Sequence, residues 1–118
     1  MSFLGIDVGT TGCKASVFSA TGESLSFAYD EYDMVRPRPG WLELDPNDVW
    51  AKVRGTIAKA VAGAERGRRP GAVRDPVTAL AVSSMGESMV PVSRDRRILG
   101  IALAVIALAW LLEWGIGR

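Results

Sequence analysis

The apolar residues follow different periods along the chain, and each period predicts a different element. Near the amino terminus, apolar side chains lie at alternate positions, and the turn-forming segments Gly9–Gly12 and Ser19–Glu23 interrupt the alternation. This pattern predicts three strands that pair in sequence as an antiparallel meander. The predicted strands are 3–8, 13–18 and 24–30. Gly22 is expected at the left-handed position of the second turn.

The middle of the chain has apolar residues three and four positions apart, which predicts an amphipathic helix. Asp45 is a favourable N-cap, Pro46 suits the first helical position, and Asp48 places negative charge in the first turn. The helix is expected to end where Gly67 and Pro70 follow. Its apolar face is predicted to contain Val49, Trp50, Val53, Ile57, Ala60, Val61 and Ala64, with Lys52, Thr56, Lys59 and Arg66 opposite.

Two further segments complete the predicted sheet. Residues 77–82 form a nearly unbroken apolar run, which is typical of a strand covered on both faces. Residues 89–92 predict another short strand, and Ser93–Arg97 predicts a polar turn. Because a long helix separates the meander from the apolar strand, the fold class is α/β, with a mixed sheet and one long crossover helix. The side chains expected to pack inside the fold include Cys13, Trp41 and Trp50.

Composition then excludes several classes of function. The chain has 118 residues, enough for one small domain, and its 14 Lys and Arg against 13 Asp and Glu give a net charge of +1. Such a balance carries no electrostatic signature of nucleic-acid binding. Histidine is absent and Cys13 is the single cysteine, so the chain offers no imidazole base and no thiolate zinc site. One cysteine and an amino terminus without a basic leader favour the cytoplasm.

The segment between the first two strands contains the residue types that phosphate chemistry needs. Asp7, at the end of a strand, can bind a divalent cation directly or through water. The turn residues Gly9, Thr10 and Thr11 allow backbone N–H groups and hydroxyls to approach phosphate oxygens. Lys14 adds a positive charge beside the turn. On spacing alone, an ordinary hairpin explains the segment as well as a phosphate site does.

A second polar segment, Ser84–Ser88, follows the apolar strand. Loops at the carboxyl ends of strands are where α/β sheets bind ligands. Glu87 can accept hydrogen bonds from ligand hydroxyls, and Gly86 permits a close approach of the backbone. A plain polar turn is the alternative, and taken alone the segment favours it.

In this order, the segments resemble the start of the FGGY carbohydrate kinases. The resemblance rests on Asp7–Thr11 with Lys14, on Pro39–Trp41 with Glu43 and Asp45–Pro46, on Trp50, and on Ser84–Glu87. It covers residues 2–98 and implies an actin-like, ribonuclease-H-like ATPase fold, of which this chain would hold an incomplete N-terminal lobe. It also implies phosphoryl transfer from ATP, with Mg²⁺, to a hydroxyl of a sugar or polyol.

The same resemblance implies the site residues. The nucleotide would be bound by Asp7, Gly9, Thr10, Thr11 and Lys14, with Asp7 also serving the metal. The sugar would be bound by Ser84, Met85, Gly86 and Glu87. Glycerol kinases carry an Arg-Glu pair where this chain has Gly86 and Glu87, which argues against glycerol, and the lack of histidine argues against the Met-His pair of xylulokinases.

The resemblance assigns no catalytic residue to this chain, because the general base of the family is expected beyond residue 118. Without a base to take the proton of the attacking alcohol, the 118 residues alone are expected to be inactive. The alternative function is a non-catalytic actin-like module that binds a ligand or a partner, attached to a membrane through an apolar tail. The sequence leaves the oligomeric state open.

That tail begins with the run Ile98–Leu112, which contains no charged or polar side chain. We therefore divide the chain into a lobe, 1–98, and an atypical tail, 99–118. Three interpretations stay open. The tail is the product of a frameshift or premature stop in a longer kinase gene, a buried helix or strand, or a membrane segment. Fifteen residues span about 22 Å as a helix, short of the ~30 Å hydrocarbon core, so a membrane span is the least favoured.

Overall fold

A computed structural model of the chain describes residues 1–71, 75–86, 88, 90–95 and 97. The described elements are β1 (Ser2–Val8), β2 (Gly12–Ser19), β3 (Ser24–Glu31), β4 (Met34–Val35), β5 (Glu43–Leu44), α1 (Pro46–Arg66) and β6 (Val77–Ser84). The three strands of the meander, the long helix and the strand after it therefore all form where the patterns predict them. The small β4–β5 ribbon was not predicted.

The main sheet is mixed, as predicted, and has the strand order β3-β2-β1-β6. The first three strands pair antiparallel, and the hairpin between β2 and β3 has Gly22 in the left-handed region, with a φ of 85°. β6 pairs parallel to β1, after the chain has crossed over through α1. The fold class, α/β with one long crossover helix, is confirmed.

The helix begins and packs through specific contacts. The Asp45 carboxylate accepts a hydrogen bond from the Asn47 N–H at 2.8 Å, which makes Asp45 the N-cap. The buried residues of α1 are Val53, Thr56 and Ala60, which face β2 and β3, and the predicted apolar residues Val49, Ile57, Val61 and Ala64 pack partly buried against the same core. These residues lie three and four positions apart, so they share one face of the helix. The chain therefore buries a stripe centred on this triplet.

The prediction that Thr56 lies on the polar face is wrong. Its hydroxyl donates to the Lys52 carbonyl oxygen at 2.9 Å and lies 3.3 Å from the Cys13 sulfur. A threonine whose hydroxyl is satisfied by the preceding turn of its own helix can be buried at low cost. Cys13 is fully buried beneath it, as predicted.

Trp41 and Trp50, which the sequence predicts inside the fold, are not packed inside its described part. Trp50 is 63% exposed, because it lies to one side of the stripe that faces β2 and β3. Trp41 is also exposed, and its ring lies 5.3 Å from the Arg38 guanidinium, at cation–π distance. Both predictions of core positions are therefore wrong.

The prediction that the strand at 77–82 is covered on both faces is also wrong for the described residues. Leu80 is 63% exposed and Val82 is 58% exposed. β6 lies at the sheet edge beside β1, whereas α1 packs over β2 and β3. The helix thus covers only one half of one face and leaves the apolar side chains of β6 open.

The segment that follows β6 contains a turn but no described strand. Val92 makes an isolated bridge, and Pro91, which has no N–H to donate, precedes it. The predicted turn is confirmed, because the Ser93 N–H donates to the Arg97 carbonyl oxygen at 2.8 Å and the Arg97 N–H donates to the Ser93 hydroxyl at 2.9 Å. Met89 and the run Ile98–Leu112 lie outside the described residues. In the part of the chain that is described, no helix is long and apolar enough to cross a bilayer.

One ion-pair cluster connects the outer strand of the meander to the helix. On β3, Asp30 accepts a hydrogen bond from the Lys59 ammonium at 2.7 Å and lies 3.7 Å from that of Lys52. The hydrogen bond from Lys59 holds the pKa of Asp30 below its usual value; burial opposes this, and the charges of Lys59 and Lys52 support it. The ionised carboxylate is therefore stabilised in the folded state.

We expect this cluster to make unfolding pH-dependent on the acid side. Because the pKa of Asp30 is lower in the folded chain, its stabilising contribution is present above the unfolded pKa and is lost as the pH falls below about 4. Urea unfolding at a series of pH values should show a shallower acid slope for Asp30→Asn than for the natural chain. Identical slopes would contradict the assignment. Glu23→Gln, in the exposed β2–β3 hairpin, is the matched control.

Candidate functional site

The turn between β1 and β2 is held at both of its ends. The Gly9 N–H donates to the Gly12 carbonyl oxygen at 3.0 Å, and the Thr11 carbonyl oxygen accepts a hydrogen bond from the Tyr32 N–H at 3.1 Å. Thr10 and Thr11 are exposed between these anchors. The backbone of the turn is thus fixed while its two hydroxyls face solvent.

Gly12 is required by the neighbouring strand. A Cβ atom at this position would lie 2.5 Å from the Asp30 carbonyl oxygen and 2.8 Å from the Tyr29 ring. Real Cβ atoms do not approach a backbone oxygen so closely, so a larger residue would push β2 and β3 apart. The first residue of β2, Gly12, therefore occupies a position where only glycine fits.

Asp7 and Lys14 form a cross-strand pair beside this turn. They lie opposite each other on β1 and β2, and the Lys14 Nζ is 3.7 Å from the Asp7 Oδ2. Each side chain is about half exposed, so the pair is solvated and both charges are accessible to a ligand. Because side chains alternate along a strand, Asp7 lies on the sheet face opposite to Ile6 and Val8.

The second predicted segment lies at the same edge of the sheet. The parallel register places Asp7 beside Ser83 and Val8 beside Ser84, and the Met85 N–H donates to the Val8 carbonyl oxygen at 3.2 Å. A Cβ atom at Gly86 would meet nothing within 4 Å. The loop after β6 is therefore open and begins next to the phosphate-type turn.

The predicted site residues are brought to one edge, but they divide between the two faces of the sheet. Asp7 and Lys14 lie on the face that α1 does not cover, whereas Thr10, Thr11 and Met85 border a groove on the α1 face. The residues at this edge are Asp7, Gly9, Thr10, Thr11, Lys14, Ser84, Met85 and Gly86. Glu87 lies outside the described residues. Their assignment to a nucleotide or a sugar stays a prediction.

The sequence patterns did not reveal the groove or the role of Tyr32. The groove has a volume of about 800 Å³ and is lined mainly by apolar side chains of β1, α1 and β6. Tyr32 is buried behind the turn; burial raises the pKa of its phenol well above the usual value, and the neighbouring Cys13 adds to the effect. The phenol therefore stays neutral at any physiological pH. The structural feature that reveals the groove is the exposure of the apolar side chains of β6.

The described residues contain no group of three or more histidine, cysteine or acidic side chains that could hold a metal ion by themselves. A metal at this edge would therefore depend on the Asp7 carboxylate together with ligands that the substrate and water supply. Mg²⁺ is commonly bound in this way, through one or two carboxylates and substrate phosphates. The donor set at this edge fits such an ion.

The chain matches the model of the FGGY family of carbohydrate kinases, N-terminal domain, over residues 2–106, beyond the residue 98 at which the motif-based resemblance stops. It is 37% identical over 87 residues to the glycerol kinase of Petrotoga mobilis, a match that covers 74% of this chain and 16% of that protein. The glycerol kinase of Cereibacter sphaeroides matches to the same extent.

Solved structures share the fold. A ligand-bound xylulose kinase from Lactobacillus acidophilus superimposes with a TM-score of 0.76 at 19% identity, over 97% of this chain and 23% of that one. The Plasmodium falciparum glycerol kinase with ADP gives a TM-score of 0.79 at 14% identity, over 99% of this chain and 23% of that one. The fold is therefore that of the actin-like ATPases, and the chain spans less than a quarter of these relatives. Together, the match to the family model and the shared fold show that the chain belongs to the FGGY family of carbohydrate kinases and holds part of its N-terminal domain.

Proposed function

We propose that this chain supplies the nucleotide-phosphate turn and part of the sugar site of a carbohydrate kinase, which transfers a phosphoryl group from ATP to a hydroxyl of a sugar or polyol. The observation that carries the proposal is the parallel register of β1 and β6. It sets Val8 beside Ser84 and joins the two loops by the hydrogen bond from the Met85 N–H to the Val8 carbonyl. A phosphoryl donor at one loop and an acceptor at the other would then be neighbours.

Each residue of the turn has a distinct part in this proposal. The Gly9 N–H is used within the turn, so Gly9 fixes the shape of the backbone and does not donate to a ligand. The exposed hydroxyls of Thr10 and Thr11 and the ammonium of Lys14 are the groups free to approach phosphate oxygens. When bound, ATP supplies the phosphoryl group, and Mg²⁺ neutralises charge on its phosphate oxygens. Asp7 would hold the metal and, when it does so, would give up part of its ion pair with Lys14.

The acceptor is proposed to bind at the loop after β6. The open space around Gly86 allows a polyhydroxylated ligand to approach the backbone, and Ser84 and Glu87 would offer hydrogen-bonding side chains. The sequence relatives are glycerol kinases, and the chain has glycine where an arginine is expected for glycerol. We therefore propose only the class of acceptor, a hydroxyl of a sugar or polyol. We also propose a cytoplasmic location, because the reaction uses ATP.

Titration calorimetry on the purified 118-residue chain tests this proposal. We expect Mg²⁺-dependent binding of ATP with a Kd in roughly the micromolar to millimolar range, and no phosphorylation of any member of a polyol panel. Binding that ignores Mg²⁺, or no binding by a chain with the circular dichroism of an α/β fold, would contradict the phosphate site. Turnover of a polyol would contradict only the expected inactivity of the 118 residues and would leave the proposed phosphate site standing.

A further inference from the structure

The groove on the α1 face is an apolar surface that the described residues leave open. Its floor is formed by Ile6 and Val8 of β1 and by Leu80 and Val82 of β6, and Trp50 stands at one side. Leu80 and Val82 pair with Leu4 and Ile6 in the parallel register, so the open side chains continue the buried core directly. Continuous apolar surface of this kind marks a place where another segment packs.

The described residues that follow β6 pass beside this groove. Ser88 and Val90 contribute to its lining, only a few residues after β6. A turn follows, in which the Ser93 N–H donates to the Arg97 carbonyl oxygen and the Arg97 N–H donates to the Ser93 hydroxyl. The chain beyond Arg97 is thus joined to the groove by the short segment 91–97.

The sequence after Arg97 is the run Ile98–Leu112, whose fifteen residues carry no charged or polar side chain. A segment that is apolar all round is stable in water only when it is buried on more than one side. A helix of this length is about 22 Å long, close to the roughly 26 Å of an eight-residue strand such as β6. The match to the family model extends to residue 106, well into the run.

We propose that the run Ile98–Leu112 packs into this groove of its own chain, over Leu80, Val82 and Trp50. The covalent connection favours this occupant over a second molecule, because a short tether gives an effective concentration of about millimolar. The proposal uses no nucleotide or sugar, so it is independent of the proposed kinase function. It makes the run part of the lobe and explains why β6 is apolar on the face that α1 leaves open.

Thiol labelling of the full chain tests the proposal. One variant carries Leu80→Cys in the groove, and the control carries Phe27→Cys, which is 60% exposed on the opposite face of the sheet. The buried Cys13 serves in both as the protected reference. We expect the cysteine at position 80 to react roughly tenfold more slowly than the one at position 27. Combining Leu80→Cys with Leu103→Asp and Ile106→Asp should remove the protection, whereas Leu103→Met with Ile106→Leu should keep it.

Other occupants give different results, and each would overturn the proposal. Equal labelling rates at positions 80 and 27 would show that the groove is open. Protection that increases with protein concentration would indicate a second copy, and protection that appears only with phospholipid vesicles would indicate a bilayer. A photoreactive benzoyl-phenylalanine in place of Val82 gives a readout that needs no change in the run. We expect its cross-link to map within 98–112 of the same molecule, and a cross-link elsewhere would contradict the proposal.

Discussion

Gly12→Ala is expected to lower the free energy of unfolding by about 3 kcal/mol. The added methyl group would lie 2.5 Å from the Asp30 carbonyl oxygen, and a backbone atom held in the β2–β3 ladder cannot rotate out of the way. Relief would require the two strands to separate, which would also disturb the Asp30 contacts with Lys59 and Lys52. Urea unfolding followed by circular dichroism measures the effect.

The helix offers a matched control for the same chemical change. Gly55 lies within α1, and a Cβ atom there would meet nothing within 4 Å. Gly55→Ala should therefore stabilise the chain by up to about 1 kcal/mol, through the greater helix propensity of alanine. If both substitutions changed stability in the same direction, the close contact at Gly12 would not be the cause.

Asp7→Asn is expected to weaken Mg²⁺·ATP binding by at least about tenfold and to remove most of its dependence on Mg²⁺. The substitution keeps the size of the side chain and removes the negative charge that would face the metal. It also leaves Lys14, 3.7 Å from the carboxylate in the natural chain, without its partner. Stability should change little, because the pair is half exposed. Calorimetric titration with and without Mg²⁺ measures both quantities.

Glu23→Gln provides the control for charge alone. Glu23 lies in the hairpin between β2 and β3, at the opposite end of the sheet from the turn between β1 and β2. Glu23→Gln removes the same formal charge as Asp7→Asn without touching the proposed site. It should therefore leave nucleotide affinity and its Mg²⁺ dependence unchanged. Equal effects of Glu23→Gln and Asp7→Asn would mean that only the net charge matters and that Asp7 has no special contact.

Local patterns were sufficient to predict the elements themselves. Alternation gave the meander, Asp45 and Pro46 gave the start of α1, and Gly22 gave the left-handed turn, because each depends on neighbours within a few residues. The mixed sheet also followed, since a long crossover helix between strands leads to parallel pairing.

Which side chains are buried could not be predicted in the same way. Spacing alone does not separate a stripe through Val53, Thr56 and Ala60 from one rotated toward Trp50, because both have helical period. The choice depends on where α1 lies across the sheet, and that depends on contacts distant in sequence. The exposure of β6 has the same origin, since its apolar run predicts cover without saying which element supplies it.

The parallel pairing of β1 with β6 also has a consequence for how the molecule assembles. It joins Ser2 to Val77, across the whole meander and the helix, whereas each hairpin of the meander closes a loop of only a few residues. Closing the longer loop costs more chain entropy and has to follow the local pairings. The phosphate-type turn can therefore form early during synthesis, while the edge that joins it to the loop after β6 forms last. Substitutions that loosen β6 should consequently slow the maturation of the two-loop edge before they affect the meander.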